Sequence, residues 1–71
     1  MRLLDIDVNK GFDKLSKITE TEAIKLLQKG KSIICRTTTR EFSEISDKPD
    51  FDRCKRLHKM KVYDLFELYI R

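Results

Sequence analysis

Residues 18–31, Ile-Thr-Glu-Thr-Glu-Ala-Ile-Lys-Leu-Leu-Gln-Lys-Gly-Lys, carry the signals for both ends of a helix in one short stretch. Thr19 is placed to cap the N-terminus. Glu22, three residues on, completes a capping box, in which hydroxyl and carboxylate each satisfy a backbone N–H that the first turn leaves without an internal partner. Glu20 and Glu22 complement the positive end of the helix dipole, and Lys25 and Lys29 the negative end. Ala23, Ile24, Leu26 and Leu27 form one apolar face over residues 20–29. Gly30 stands where the chain needs a left-handed residue to leave the helix. Residues 32–37, Ser-Ile-Ile-Cys-Arg-Thr, follow at once, short, rich in β-branched residues and mostly apolar, which is the pattern of a central strand covered on both faces. A helix that must bury one face and a strand that must bury two define an α+β domain. The expected architecture is a short capped helix on a small two- or three-stranded antiparallel sheet, with a second, basic helix in the C-terminal half.

The remaining segments fit around that unit. Leu3, Leu4, Ile6 and Val8 suggest a short extended segment, and residues 9–11 a turn. Phe12, Leu15 and Ile18 recur every third residue, as in a single helical turn covering one side of the core. Residues 40–45 read as a second, more exposed strand, whose Phe42 and Ile45 do not alternate cleanly. Residues 46–50, Ser-Asp-Lys-Pro-Asp, are the clearest break and read as a loop, after which Asp50 can cap a helix over about residues 50–60. Phe51, Cys54, Leu57 and His58 share one face of it. Residues 62–70 fit either a continuation of that helix or a turn followed by a terminal strand at residues 66–70; the second is preferred, with pairing to residues 32–37.

Seventy-one residues, 39% hydrophobic and 39% charged, form a single domain over residues 1–71 with one small core. A substrate cavity of several hundred Å³ would consume much of that core. A domain this small is stable either alone or as a homodimer that completes its core. The residues before Asp5 contain no apolar run ahead of a cleavage site, and no stretch approaches the roughly 18 apolar residues of a membrane span. The expected location is the cytoplasm, with no membrane partner. The two cysteines, Cys35 and Cys54, allow one disulfide, but a reducing cytoplasm favours free, semi-buried thiols.

Three constellations invite a chemical reading. Cys54 and His58, four apart on a helix, share a face as two metal ligands would, yet a structural zinc site needs four and only Cys35 remains to add. The same pair as nucleophile and base needs a lowered thiol pKa and an oriented base, and the chain offers no oxyanion hole. Core thiols and a histidine at the helix edge are the favoured reading. The acid pairs Asp5 and Asp7, Glu20 and Glu22, and Asp50 and Asp52 lie near element starts, where acids serve as caps. No catalytic residue, metal or cofactor is assigned, and the chain is read as non-enzymatic.

The basic run at residues 53–61 is the sharpest functional signal. Arg53, Lys55, Arg56, Lys59 and Lys61 place five cations in nine residues, with no acid between Asp52 and Asp64. On a helix Arg53, Arg56 and Lys59 form a stripe. Three readings stand: a solvated face, an anchor for an acidic protein surface, and a row of phosphate contacts to nucleic acid. The net charge of +4, from 16 basic and 12 acidic residues, permits all three. Tyr63, beside Lys61 and Asp64, is the aromatic expected at the surface, where it could anchor an interface. Lys29, Lys31, Arg36 and Arg40 form a secondary basic cluster without a glycine-rich nucleotide motif.

The run Glu22-Ala23-Ile24-Lys25-Leu26-Leu27-Gln28-Lys29-Gly30-Lys31, leading into Ser32-Ile33-Ile34-Cys35-Arg36, resembles the opening of small proteins encoded by phages and prophages of Gram-positive bacteria. Their EAI-x-LL-x-x-GK helix leads into a strand ending in Cys/Arg or Arg/Arg, and many close on a short aromatic-aliphatic strand, as residues 66–70 do here. Some such proteins block host or defence factors by binding proteins or small signalling molecules. The resemblance covers about 15 residues and carries no functional residue with it. Small size, the lack of a catalytic constellation and a charged helix to present lead to the expected function, a non-enzymatic interaction protein, phage- or prophage-encoded, that binds and modulates a host protein with an acidic surface. The alternative is a small nucleic-acid-binding protein using the residue 53–61 helix.

Overall fold

A computed structural model describes residues 2–6 and 14–71. In chain order it comprises β1 (Arg2–Leu4), β2 (Ser16–Ile18), α1 (Glu20–Gln28), β3 (Ile33–Arg36), β4 (Phe42–Ile45), α2 (Lys48–Lys59) and β5 (Glu67–Ile70). The strands form one sheet in the order β1-β4-β3-β5-β2, and every neighbouring pair is antiparallel. The sheet therefore has five strands rather than two or three. The two extra strands, β1 and β2, lie at opposite edges and are three residues each, too short to display a period of two.

The connections interleave. Because neighbours alternate in direction, β2 runs parallel to β3 with β5 between them, and β4 runs parallel to β5 with β3 between them. The segments β2-α1-β3 and β4-α2-β5 are thus two crossovers, each threading a strand of its own between the two strands of the other. Both helices pack on one face. Ala23 and Leu27 of α1 and Phe51 and Cys54 of α2 share a cluster with Ile18, Ile33, Cys35, Ile45 and Leu68. On the opposite face Ile34, Phe42 and Tyr69 form a second cluster with Leu4, Ile6 and Leu15 packed against it. β3 is buried on both faces because it holds the centre of the sheet, as its unbroken apolar run requires.

Local signals act largely as expected at α1. The Thr19 hydroxyl accepts from the Glu22 N–H at 3.2 Å. The Glu22 carboxylate, expected to accept from the Thr19 backbone N–H, accepts from the Thr19 hydroxyl instead. The helix closes on Gly30, at φ 77°, with the Gly30 N–H on Leu27 O and the Lys31 N–H on Leu26 O, both 3.0 Å. This is the Schellman closure, and a left-handed residue at its turn is what makes both bonds reachable.

Other expectations need correction. The cap of α2 is Asp47, not Asp50: its carboxylate accepts from the Asp50 N–H at 2.9 Å, so Lys48, Pro49 and Asp50 form the first turn rather than a loop. Proline suits that turn because it lacks an N–H where none would be bonded. Residues 16–18 are a strand, not part of a helical turn, because Ser16, Lys17 and Ile18 pair with Ile70, Tyr69 and Leu68. The pairing is tertiary, so local spacing could not show it. The terminal segment is a strand, β5, and it pairs with β3. Val8, Phe12 and the turn at residues 9–11 lie outside the described residues.

Candidate interaction surface

Each half of α2 has its own job. Phe51 and Cys54 bury its inner face, and Lys55 reaches across to Glu20 of α1 at 2.9 Å. Lys48 pairs with Asp52 one turn on, also at 2.9 Å. Both ion pairs are half-exposed, so each contributes well under about 1 kcal/mol and chiefly sets geometry. Arg53, Arg56 and Lys59 are exposed along the outer face, and Lys61 is exposed just beyond it. Among the described residues none of these four forms an ion pair. Lys55 is the one member of the run already engaged by an acid.

The helix ends in the turn that the preferred sequence reading expects after about residue 60, and the backbone gives that turn its form. The Lys61 N–H bonds His58 O at 3.0 Å and the Val62 N–H bonds Leu57 O at 2.9 Å, the same Schellman closure as in α1. Here the left-handed position, φ 62°, is held by lysine, the only non-glycine residue with positive φ among the described residues. A side chain in this conformation costs about 1 kcal/mol relative to glycine. The turn projects Met60, 64% exposed, and Val62, 59% exposed. Two apolar side chains thus stand in water on either side of Lys61, with Lys59, Arg56 and Arg53 behind them along the helix.

The base of this turn is held firmly. Tyr63, expected at the surface, is half-buried and packs against the helix-side core. Ile45 and Phe42, in the strand expected to be the more exposed one, are fully buried, because β4 lies inside the sheet between β1 and β3. Phe66 sits edge-on to Phe51, with centroids 5.5 Å apart, and stacks with His58 at 6.1 Å. The Leu65 N–H bonds Thr37 O at 3.0 Å, which joins the turn to the loop after β3. The backbone beneath the exposed cations is thus fixed by aromatic packing and a hydrogen bond. Only the cationic half of this surface was legible in the sequence, which gave Met60 and Val62 no place there.

The secondary basic cluster is split. Lys29 and Lys31 precede β3 and Arg40 follows it, so they lie at opposite ends of the strand. Arg40 is exposed in the loop that Leu65 joins, at the same end as Lys61. Arg36 is engaged internally. Its Nη2 and Nε donate to Thr39 O at 2.8 and 3.2 Å, its Nη1 donates to Glu67 Oε1 at 3.2 Å, and it lies over the Phe42 ring. Tyr69 also donates to Glu67 Oε1, at 3.0 Å, so this carboxylate ties β3 to β5 on the sheet face away from the helices.

The chemistry-bearing side chains point inward or are occupied. Cys35 and Cys54 are fully buried in the helix-side cluster. Burial, then the neighbouring Cys54, pushes the Cys35 thiol up to about 12, and burial likewise raises Cys54. Neither is a thiolate near neutrality. Among the described residues no group of three or more His, Cys, Asp or Glu side chains could hold a metal ion. A depression of about 130 Å³ lies at the far end of β3, lined by Ser32, Ile34, Glu44 and Ile70 among others, below the several hundred Å³ of ordinary ligand sites. No described helix is long and apolar enough to cross a membrane.

No protein-family model, curated protein or solved structure matches the chain.

Proposed function

We propose that this domain is a non-catalytic interaction protein whose C-terminal end of α2 binds an acidic surface on a host protein. The observation that carries the reading is the pair of exposed apolar residues, Met60 and Val62, set within the cations Arg53, Arg56, Lys59 and Lys61. Apolar residues ringed by charge are the composition of a small protein interface, in which the apolar centre supplies affinity and the charged rim supplies orientation and on-rate. A surface built for phosphates alone has no use for Val62 standing in water. The left-handed Lys61 supports the same reading. A residue kept in a costly conformation is expected where that conformation aims a side chain. The helix-strand opening shared with small phage and prophage proteins is in keeping with a modulator of a host factor.

The test is affinity capture from bacterial lysate with and without nuclease, followed by titration of the purified partner. Reversing Arg53, Arg56 and Lys59 to glutamate is expected to weaken binding at least tenfold without changing the melting temperature by more than a few degrees. Changing Met60 and Val62 to serine is expected to cost about 1 kcal/mol or more of binding. Affinity indifferent to both sets of changes removes this surface as the contact. Capture that collapses after nuclease, with affinity for duplex DNA falling with salt at a slope of about −0.9 per phosphate, would replace the protein partner with nucleic acid.

A further inference from the structure

The cationic end of α2 leaves one reactive pair unexplained. Cys35 comes from β3, the central strand, and Cys54 from the inner face of α2. Both have no exposed surface, both belong to the helix-side core, and each is among the groups that shift the other's thiol. Eighteen residues separate them in sequence, containing β4, its hairpin and the first half of α2. The fold has therefore already met most of the entropic cost of closing this loop by gathering both cysteines into one buried cluster. Their neighbours are apolar or aromatic, with Ile33, Ile45, Phe51 and Leu68 in the same cluster, so no competing nucleophile or metal ligand lies in that cluster.

We propose that Cys35 and Cys54 are a latent disulfide, closed when the domain meets a low-molecular-weight disulfide such as oxidised glutathione, which locks α2 onto β3. One cysteine thiolate attacks a sulfur of the oxidant, the oxidant's S–S bond breaks, and the first glutathione thiolate leaves. The second cysteine thiolate attacks the protein-side sulfur of the mixed disulfide and expels the second glutathione thiolate. The protein dithiol loses two electrons and two protons, and glutathione disulfide becomes two glutathione thiols. Burial and the raised thiol pKa values keep the pair unreactive while the helix is seated, so the first step follows local opening of α2. The lock is independent of the partner surface, since neither sulfur reaches it.

The experiment needs no partner. The purified chain is equilibrated in glutathione redox buffers, once folded and once unfolded in urea, and the dithiol and disulfide forms are separated by mass after acid quenching. If the fold presents the two sulfurs to each other, the disulfide equilibrium constant of the folded chain exceeds that of the unfolded chain, by about 100-fold for a loop of this length. The oxidised protein then melts about 10 °C or more above the reduced protein. A folded-state constant equal to or below the unfolded one overturns the proposal, because the fold then resists the bridge. So does an oxidised product that consists only of glutathione adducts or linked dimers. Cys54→Ala must abolish the intramolecular product while leaving the far-ultraviolet spectrum unchanged; if the product persists, the assignment of the bridge is wrong.

Discussion

The two helices end in the same way with different residues. After α1 the left-handed position is Gly30, at φ 77°; after α2 it is Lys61, at φ 62°. In each case two backbone bonds close the turn, to Leu26 and Leu27 in the first and to Leu57 and His58 in the second. A side chain added at Gly30 would find nothing within 4 Å, so glycine is there for its backbone alone and not for space. Folding thus has a cheap solution for this turn and uses it once. At Lys61 the same turn carries a side chain at a cost, between two exposed apolar residues. One helix end uses the residue that adopts this conformation without strain, and the other carries a side chain there at a cost in stability.

The helices also differ beneath. Each has one fully buried small residue, Ala23 in α1 and Cys54 in α2, and only the second can titrate. The largest expected effect follows from that difference. Burial holds the Cys35 proton in the folded state up to about 12, against an ordinary value of 9.0, and raises Cys54 in the same direction. The unfolded chain releases the Cys35 proton first, so stability is full below pH 9 and falls as pH rises from 9 towards 12, by up to about 1.4 kcal/mol per unit from Cys35, with Cys54 adding in the same direction. Urea unfolding between pH 8 and 11 is expected to show this loss, and a Cys35→Ala, Cys54→Ala chain to show a flatter profile; equal slopes would mean that the thiols are not the cause.

Making the first turn like the second comes next. Gly30→Lys is expected to destabilise by about 1–2 kcal/mol, read from the urea midpoint. The reverse change, Lys61→Gly, is expected to stabilise by about 1 kcal/mol and to weaken partner binding, so that stability and binding move in opposite directions. Stabilisation with unaltered binding would show that the strain serves nothing at this surface. The two substitutions are at opposite ends of β3 and are expected to add within about 0.5 kcal/mol when combined. Smallest of all, Val62→Ser is expected to change stability by no more than about 0.5 kcal/mol, a size that marks an exposed side chain free of the core.

What was readable in the sequence was local. The Thr19 cap, the Gly30 stop and the Ala23 and Leu27 face are set within a few residues of one another, and all three appear in the fold. β3 announced its central place because burial on two faces removes polar alternation. The extended segment at Leu3 and Leu4 was readable but its place in the sheet was not, and β2 was read as a helical turn, since three residues carry no period and their partners are distant in sequence. Asp47 as cap was readable and was displaced by the stronger appearance of a loop around Pro49. At the candidate surface the charges of Arg53, Arg56 and Lys59 were plain. The apolar pair was not, because Met60 and Val62 become exposed only through a left-handed turn that a lysine gives no sign of making.

The interleaving of the two crossovers also sets an order of events during synthesis. β5 lies between β3 and β2, so until residues 67–70 have left the ribosome, β2 has no strand to pair with and β3 keeps one bare edge. The hairpin of β3 and β4 and the helix α1 can gather early, because their contacts are close in sequence. The central gap in the sheet is filled last, by its most C-terminal strand. Until β5 emerges, the chain therefore carries an unpaired edge beside Ile34 and Cys35 that other chains could pair with, and the pairing of residues 67–69 with 34–36 closes it.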